Sequence, residues 1–161
     1  MKTPQKPDNE QERVAALKDL IILDTEPEES LDRVTRFTAH IFDVPIALIS
    51  LVDTDRQWFK SRFGLDARET ERDISFCGHA ILEDTVFVVH NALEDPRFCD
   101  NPLVQGDPHI RFYAGAPLKL SSGFTIGTIC IIDVEPREFT QADCGILQQL
   151  AQDIVTAIQN K

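Results

Sequence analysis

The sequence lacks a long apolar run. Its longest, residues 45–52, is far shorter than the ~20 apolar residues that a membrane-spanning helix requires, and the first ten residues lack the apolar stretch of a signal peptide. Four cysteines are present, and none of them form a CxxC pair of the kind that binds zinc. We therefore expect a cytoplasmic protein with reduced thiols and no membrane partner.

Positive charge is also scarce. The 161 residues include 16 Lys and Arg against 27 Asp and Glu, which gives a formal net charge of -11. The basic residues are spread along the chain rather than gathered into the stripe that a nucleic-acid interface needs. Because this charge would repel a phosphate backbone, we expect no nucleic-acid partner.

The hydrophobic content predicts one domain. Hydrophobic residues make up 42% of the chain, which is enough for a single core at this length. Residues 1–9 hold two prolines and mostly polar side chains, and this composition predicts a disordered N-terminal tail. The remaining residues, 10–161, are expected to form a single domain.

Three helices are predicted from apolar residues at spacings of three and four. The first covers residues 10–24. The second starts at Thr25, which forms a capping-box pattern with Glu28, and the last is capped by Thr140 with Asp143 and runs almost to the C-terminus. The apolar stripe of the second helix consists of Leu31, Val34, Phe37, Thr38 and Ile41.

Short aliphatic and β-branched runs predict strands between these helices. Between the strands lie a charged, irregular segment over residues 65–73, a short helix over residues 75–82, and an extended surface loop over residues 92–108 with up to one helical turn. This order predicts an α+β fold: an antiparallel sheet of five to six strands, with the N- and C-terminal helices on one face and the short helix and loops covering a pocket on the other. The predicted strands are residues 46–52, 57–63, 86–89, 110–120 and 124–133.

Three segments together resemble a GAF domain. They are PIALISLVD at residues 45–53, SFCGHAI at residues 75–81 and IGTICIID at residues 126–133. The similarity covers roughly residues 12–160 and is greatest to the GAF domains that precede bacterial diguanylate cyclase and histidine kinase modules. The resemblance implies a GAF/PAS-like fold and a sensory module whose terminal helices pass a signal to an output domain, in cis or in trans.

Several chemically active side chains fall in segments that could converge on the pocket. Aromatic rings supply its walls, and a guanidinium could clamp a carboxylate or phosphate. Cys77 and His79 are two residues apart and do not share a helix face, so we predict neither a metal site nor a catalytic pair. The predicted pocket residues are Trp58, Asp73, Ser75, Cys77, His79, Arg111 and Tyr113.

Two other GAF classes are similar only in part. Tetrapyrrole-binding GAF domains usually carry a cysteine followed at once by histidine, whereas Gly78 intervenes here. The signature of cyclic-nucleotide-binding GAF domains is partly matched by Phe139 and Asp143, but its glutamate position is Cys144. We interpret Phe139 as an anchor at the start of the last helix and Asp143 as a capping acid.

The enzyme alternative is free methionine-(R)-sulfoxide reductase, which is built on a GAF scaffold. Cys99 followed by Asp100 resembles its catalytic Cys-Asp pair, with Cys77 then placed as the resolving cysteine. Its further upstream cysteine has no counterpart, because no cysteine precedes Cys77. Arg97 could lower the pKa of Cys99, but the neighbouring carboxylates oppose that effect.

The expected function is therefore that of a bacterial sensory domain without catalysis of its own, which binds an unidentified small molecule or mediates dimerisation. A homodimer through the first and last helices is predicted, because Ile146 and Val155 lie off the core-facing stripe of the last helix. The sequence names neither the ligand nor a cofactor.

Overall fold

A computed structural model describes residues 1–160 and shows an α+β fold with six antiparallel strands in the order β3-β2-β1-β6-β5-β4. The central strands β1 and β6 pair over Ile46–Leu51 and Gly127–Ile132. The strands are β1 Ile46–Val52, β2 Arg56–Phe63, β3 Glu69–Glu71, β4 Phe87–Val89, β5 Phe112–Lys119 and β6 Thr125–Asp133. The helices are α1 Glu10–Asp19, α2 Glu29–Phe42, α3 Cys77–Ala80, α4 Pro102–Gln105 and α5 Gln141–Gln159.

The sheet buries both faces, and alternation along each strand assigns the side chains to two cores. One core lies under α2 and α5 and includes Ile49, Phe112 and Ile131. The other lies under α3 and its flanking loops and includes Tyr113 and Ile132. We call these the helix face and the cavity face; this arrangement confirms the predicted fold class.

The last helix begins as predicted. Thr140 Oγ1 accepts a hydrogen bond from the Asp143 amide at 3.1 Å, and the Thr140 amide donates to Asp143 Oδ2 at 2.9 Å. Both halves of the capping box are therefore formed. Ile146 is exposed as expected, whereas Val155 is buried in the helix-face core, so the prediction that Val155 lies on the surface is wrong.

The first two helices have different bounds from those predicted. α1 ends at Asp19, and α2 begins at Glu29 rather than at a Thr25 cap. In the segment before α2, the buried ammonium of Lys60 in β2 donates from Nζ to Thr25 Oγ1 at 2.7 Å and to the Glu26 carbonyl at 2.6 Å. Satisfying this buried charge holds the intervening segment in a non-helical conformation.

The buried side of α2 is also rotated from the predicted stripe. Thr35 and Ala39 are buried, whereas Phe37 and Ile41 are 54% and 40% exposed. Thr35 Oγ1 donates to Ser61 Oγ of β2 at 2.7 Å, so a polar contact decides which side of the helix meets the sheet. The two exposed apolar side chains lie one turn apart on the outer surface of α2.

The first nine residues were expected to form a disordered tail. In the structure they lie against α3 and the loop after β4: the Lys2 amide donates to the Arg97 carbonyl at 3.0 Å, and Pro4 is buried. A Cβ placed on Gly78 would lie 2.7 Å from Pro4 Cγ, which shows how closely the segment approaches. The N-terminal segment therefore covers the outer side of α3.

Two further segments differ from their prediction. β3 is a strand of three residues that exists because it pairs with β2, at a place where the sequence suggests only a charged, irregular segment. The loop after β4 contains one turn of helix, α4, as expected, but it buries Phe98 and Val104 in the cavity-face core instead of lying wholly on the surface. Across residues 1–160, no helix is both long enough and apolar enough to cross a membrane.

Candidate ligand-binding site

A cavity of about 410 Å³ opens on the cavity face of the sheet, bounded by α3, by the loop that joins β2 to β3, and by the segment between α4 and β5. Its inner wall is formed by buried side chains, and its rim includes exposed residues of the two loops. The buried lining consists of Leu48, Gln57, Phe59, Phe76, Cys77, Ile110, Tyr113, Cys130 and Ile132.

Cys77 lies at the base of this cavity because α3 begins there and directs its first side chain toward the sheet. Its Sγ is 3.2 Å from Tyr113 Oη on β5 and 3.2 Å from Thr128 Oγ1 on β6. The Cys130 thiol of β6 is a further hydrogen-bonding neighbour. The base is thus a buried polar cluster held between one short helix and two strands.

A glycine makes room for the Tyr113 ring. Gly115 follows two residues later on the same face of β5, and a Cβ there would lie 2.3 Å from the Tyr113 hydroxyl and 2.8 Å from Cζ. Only a residue without a side chain lets the ring lie along the strand and reach Cys77. Gly115 therefore sets the position of Tyr113 in the cavity wall.

Gln57 supplies a second polar group in the wall. Its Oε1 accepts a hydrogen bond from Ser50 Oγ at 3.1 Å, and its Nε2 donates to Thr70 Oγ1 in β3. The side-chain amide therefore ties the edge strand β3 to the central strand β1 behind the cavity. No buried side-chain nitrogen or oxygen in residues 1–160 is without a hydrogen-bond partner.

The pKa values of the Cys77 and Cys130 thiols are shifted in opposite directions. Burial opposes ionisation of Cys77, but hydrogen bonds with Cys130, Ser50, Thr128 and Tyr113 outweigh it and lower the pKa of Cys77 to about 6. Hydrogen bonding to Cys77 and burial raise the pKa of Cys130. Burial also raises the pKa of the Tyr113 phenol, which keeps it protonated and able to donate.

The cavity lining carries little charge. None of the lining residues in the described part of the chain is Lys, Arg or His. Two acids, Asp66 and Asp107, belong to the rim and are exposed to solvent. The arrangement can therefore enclose apolar groups and exchange a few hydrogen bonds, and it offers no cation to an anionic group.

Of the seven predicted pocket residues, Cys77 and Tyr113 line the cavity. Trp58 does not: it is buried in the helix-face core, and its neighbour Phe59 lines the cavity instead. Successive residues of a strand point to opposite faces of the sheet, so the prediction that Trp58 lines the cavity is wrong by one position along β2.

The other four predicted residues do not line the cavity. Ser75 Oγ donates to the Arg72 carbonyl and accepts from the Gly78 amide, and Asp73 is exposed. His79 Nε2 donates to the Lys2 carbonyl at 3.1 Å, on the outer side of α3. The Arg111 guanidinium donates to the Val104 and Ile110 carbonyls, so it fixes the loop after α4 rather than clamping a ligand.

The polar residues at the cavity that were not predicted include Gln57, Thr128 and Cys130. Thr128 and Cys130 alternate with Ile129 and Ile131, so spacing along β6 places both on one face of the sheet. The missing information was which face is which, since every residue from Ile126 to Ile132 is buried. Gln57 gave no clear signal either, because its strand also contains the polar residues Arg56, Lys60, Ser61 and Arg62.

The structure does not unite the residues of the alternative thiol enzyme. Cys99 is partly exposed in the loop before α4 and does not line the cavity that contains Cys77. The Arg97 guanidinium donates to Asp95 at 2.7 and 3.0 Å and lies over the rings of Phe87 and Phe98. It is therefore already paired and is not available as a partner for a Cys99 thiolate.

Phe139 anchors the start of α5, as interpreted from the sequence. Its ring centroid lies 5.4 Å from that of Phe42 and 5.6 Å from that of Phe112, on the helix face of the sheet. This position is remote from the cavity lining.

Within residues 1–160, no group of three or more His, Cys, Asp or Glu side chains is arranged to hold a metal ion.

Known proteins share both the sequence and the fold. A family model described as "GAF domain" matches residues 26–158. A curated relative from Pseudomonas aeruginosa, named "Cyclic di-GMP phosphodiesterase PA2567", is 44% identical over 159 residues, which are 98% of this chain and 27% of that relative. This chain thus spans about a quarter of the length of that protein.

Two solved structures illustrate the range of proteins with this fold. The GAF domain of an Acinetobacter phosphoenolpyruvate-protein phosphotransferase has a TM-score of 0.68 at 17% identity and covers 92% of this chain and 94% of its own. The free methionine-R-sulfoxide reductase of Neisseria meningitidis, solved with its substrate, has a TM-score of 0.67 at 17% identity. The match covers 99% of this chain and 95% of that reductase. At these identities the similarity shows the fold alone.

Proposed function

Because the chain belongs to the GAF domain family, we propose that it is a sensory domain that binds a small molecule in the cavity and performs no catalysis itself. The observation that carries this proposal is the cavity itself, with its buried wall and solvent-exposed rim. Cavities of 300–1,000 Å³ with mainly apolar walls and a few polar groups are typical of small-molecule sites. The cavity of about 410 Å³ falls within that range.

The proposed signal passes to an output domain or partner protein. Supporting this, the Pseudomonas relative is named as a cyclic di-GMP phosphodiesterase, and this chain matches only 27% of its length. A regulatory role toward an enzyme of cyclic di-GMP turnover, in cis or in trans, is consistent with that match.

Cytoplasmic location is part of the same proposal and is supported by four cysteines without a disulfide in the described structure.

We also propose that the domain forms a homodimer, through α2 and α5 rather than through α1. Phe37 and Ile41 expose apolar surface on α2, and Ile146 does so on α5. In α1, by contrast, no large apolar side chain is exposed. A dimer would bring the C-terminal helices of two copies together, as a signal to an output domain requires.

A thiol reductase is the second candidate, favoured by the fold it shares with free methionine-R-sulfoxide reductases. The positions of Cys77 and Cys99 argue against it, because only Cys77 lines the cavity. Turnover of free methionine-(R)-sulfoxide with a thiol reductant, lost in Cys99→Ser, would establish that activity. We expect no turnover above that of the double variant Cys77→Ser/Cys99→Ser.

The sensory function is tested by ligand binding to the purified chain. A thermal-shift screen against bacterial metabolites should find a compound that stabilises the protein, since a ligand at a hundred times its dissociation constant adds about 2.7 kcal/mol. Leu65→Trp, at a partly buried position of the cavity lining, should abolish the shift. Leu93→Trp, at an exposed position outside the lining, is the matched control. A shift that survives Leu65→Trp would place binding elsewhere.

A further inference from the structure

We propose that the cavity selects an uncharged, mainly apolar molecule and rejects anions, including nucleotides; this inference rests on the ligand-binding function proposed above. Three properties of the described residues carry it. They are the absence of a cation in the lining, the complete pairing of the buried polar groups, and the aromatic character of the wall.

The lining offers no positive charge to an anion. A buried phosphate or carboxylate requires charge-assisted hydrogen bonds to remain ionised away from water. Three arginines on the segments around the cavity are already paired: Arg72 with Glu10, Arg97 with Asp95, and Arg111 with backbone carbonyls. Arg68 adjoins the lining in sequence, but it is exposed to solvent and does not line the cavity. An anion entering the cavity would therefore lose its hydration without gaining a counter-charge.

Binding of a cation is disfavoured by the interior of the cavity, whereas the rim is acidic. Asp66 and Asp107 are exposed, so solvent screens their attraction for a cation at the mouth. Deeper in the cavity the described lining contains no carboxylate, and the sulfur of Cys77, the one group there whose pKa is lowered, already has Tyr113 and Thr128 as hydrogen-bond partners. A buried ammonium group would have to displace these hydrogen bonds and lose its own hydration to pair with that sulfur.

The polar groups of the wall are already satisfied by one another. Gln57 bonds to Ser50 and Thr70, and Cys77 bonds to Tyr113 and Thr128. A highly polar ligand would have to replace these bonds one by one, with little net gain. A ligand that fills space and exchanges a single hydrogen bond near Tyr113 leaves most of the network intact.

The walls suit a flat ring system. Phe59, Phe76 and Tyr113 contribute aromatic surface, and Leu48, Ile110 and Ile132 contribute aliphatic surface. Aromatic rings pack favourably in offset or edge-on geometries against such groups. Indole is therefore a suitable probe, since it is neutral and flat and carries one hydrogen-bond donor.

The test compares three probes with one ring system and different charge: indole, indole-3-acetate and tryptamine. Binding is measured by calorimetry on the full chain, and far-UV circular dichroism confirms that each variant is folded. We expect indole to bind at least tenfold more tightly than either charged analogue. Leu65→Trp should weaken indole binding at least tenfold and Leu93→Trp should leave it unchanged; Leu103→Trp, also in the lining, replaces Leu65→Trp if the latter does not fold.

Each other result contradicts a different statement. Tighter binding of a charged analogue that is lost in Leu65→Trp would overturn the inference about charge and leave the ligand-binding function standing. Indole binding that persists in both lining variants would show that the cavity is not its site and would overturn the inference. Binding of none of the three probes would overturn the inference, and if the metabolite screen also found no ligand, the proposed function would fail with it.

Discussion

At the scale of single residues, Tyr113 and Gly115 form the most specific contact in the cavity wall. The phenol reaches Cys77 only because Gly115 leaves the space that a side chain would occupy. Local sequence offers no sign of this dependence, since a glycine in a strand has several explanations. The contact therefore links one backbone position to the shape of the proposed site.

Replacing Gly115 by Ala should destabilise the fold by about 1–3 kcal/mol, the usual cost of overpacking a buried position. The control is Gly145→Ala in α5, where a new Cβ meets nothing within 4 Å. That change should stabilise the protein by roughly 0.5–1 kcal/mol, because alanine favours the helix. Urea unfolding measures both; equal effects of the two substitutions would show that the Tyr113 ring moves aside freely.

His79 gives a pH dependence to the packing of the N-terminal segment. Burial lowers the pKa of His79, the hydrogen bond to the Lys2 carbonyl opposes this, and the positive charge of Arg97 lowers the pKa further. Because the folded pKa lies below the unfolded value of 6.5, this group's stability contribution is complete above pH 6.5 and is lost as the pH falls below it.

The wild-type protein should therefore lose more stability between pH 7.5 and pH 5 than His79→Gln, in which the glutamine amide can still donate to the Lys2 carbonyl. His40→Gln, at an exposed position of α2, should retain the wild-type pH dependence. Urea midpoints at several pH values measure the difference. Identical pH profiles for the wild type and His79→Gln would refute the assignment.

At the scale of elements, hydrophobic runs locate most strands well, but they determine neither the face of the sheet on which a residue lies nor the exact bounds of the helices. The face is undetermined in β2 because positions 57–61 are all buried. The sequence therefore does not show whether Trp58 or Phe59 points into the cavity. The helix bounds are undetermined because α2 begins at Glu29 rather than at Thr25, whose hydroxyl accepts a hydrogen bond from the distant Lys60. Both depend on tertiary contacts that no local pattern contains, whereas the α5 capping box is local and is predicted correctly.

The exposed face of α2 makes a prediction about assembly. Phe37→Ser/Ile41→Ser should shift the sedimentation of the protein from dimer to monomer, because it removes two exposed apolar side chains one turn apart. Leu93→Ser, which removes a side chain that is 48% exposed in another part of the molecule, should leave the dimer unchanged. A wild-type protein that sediments as a monomer at high micromolar concentration would contradict the proposed interface.

At the scale of the whole molecule, the sheet separates two functions. The cavity face holds the proposed ligand site, and the helix face carries α2 and α5, through which we propose dimer formation. The central strands β1 and β6 are shared by both cores. A ligand that changes the packing around Tyr113 therefore acts on strands that also support α5.

The binding site is tested most directly by NMR of the isotope-labelled chain during titration with a fragment library of neutral, anionic and cationic compounds. We predict that a neutral fragment shifts the amide signals of Cys77, Tyr113, Cys130 and Ile132 on the cavity face. Signals of Ile49, Leu147 and Ile154 in the helix-face core should move far less. Shifts centred on the helix-face core, or no saturable shift with any fragment, would contradict the conclusion that this cavity binds a small molecule.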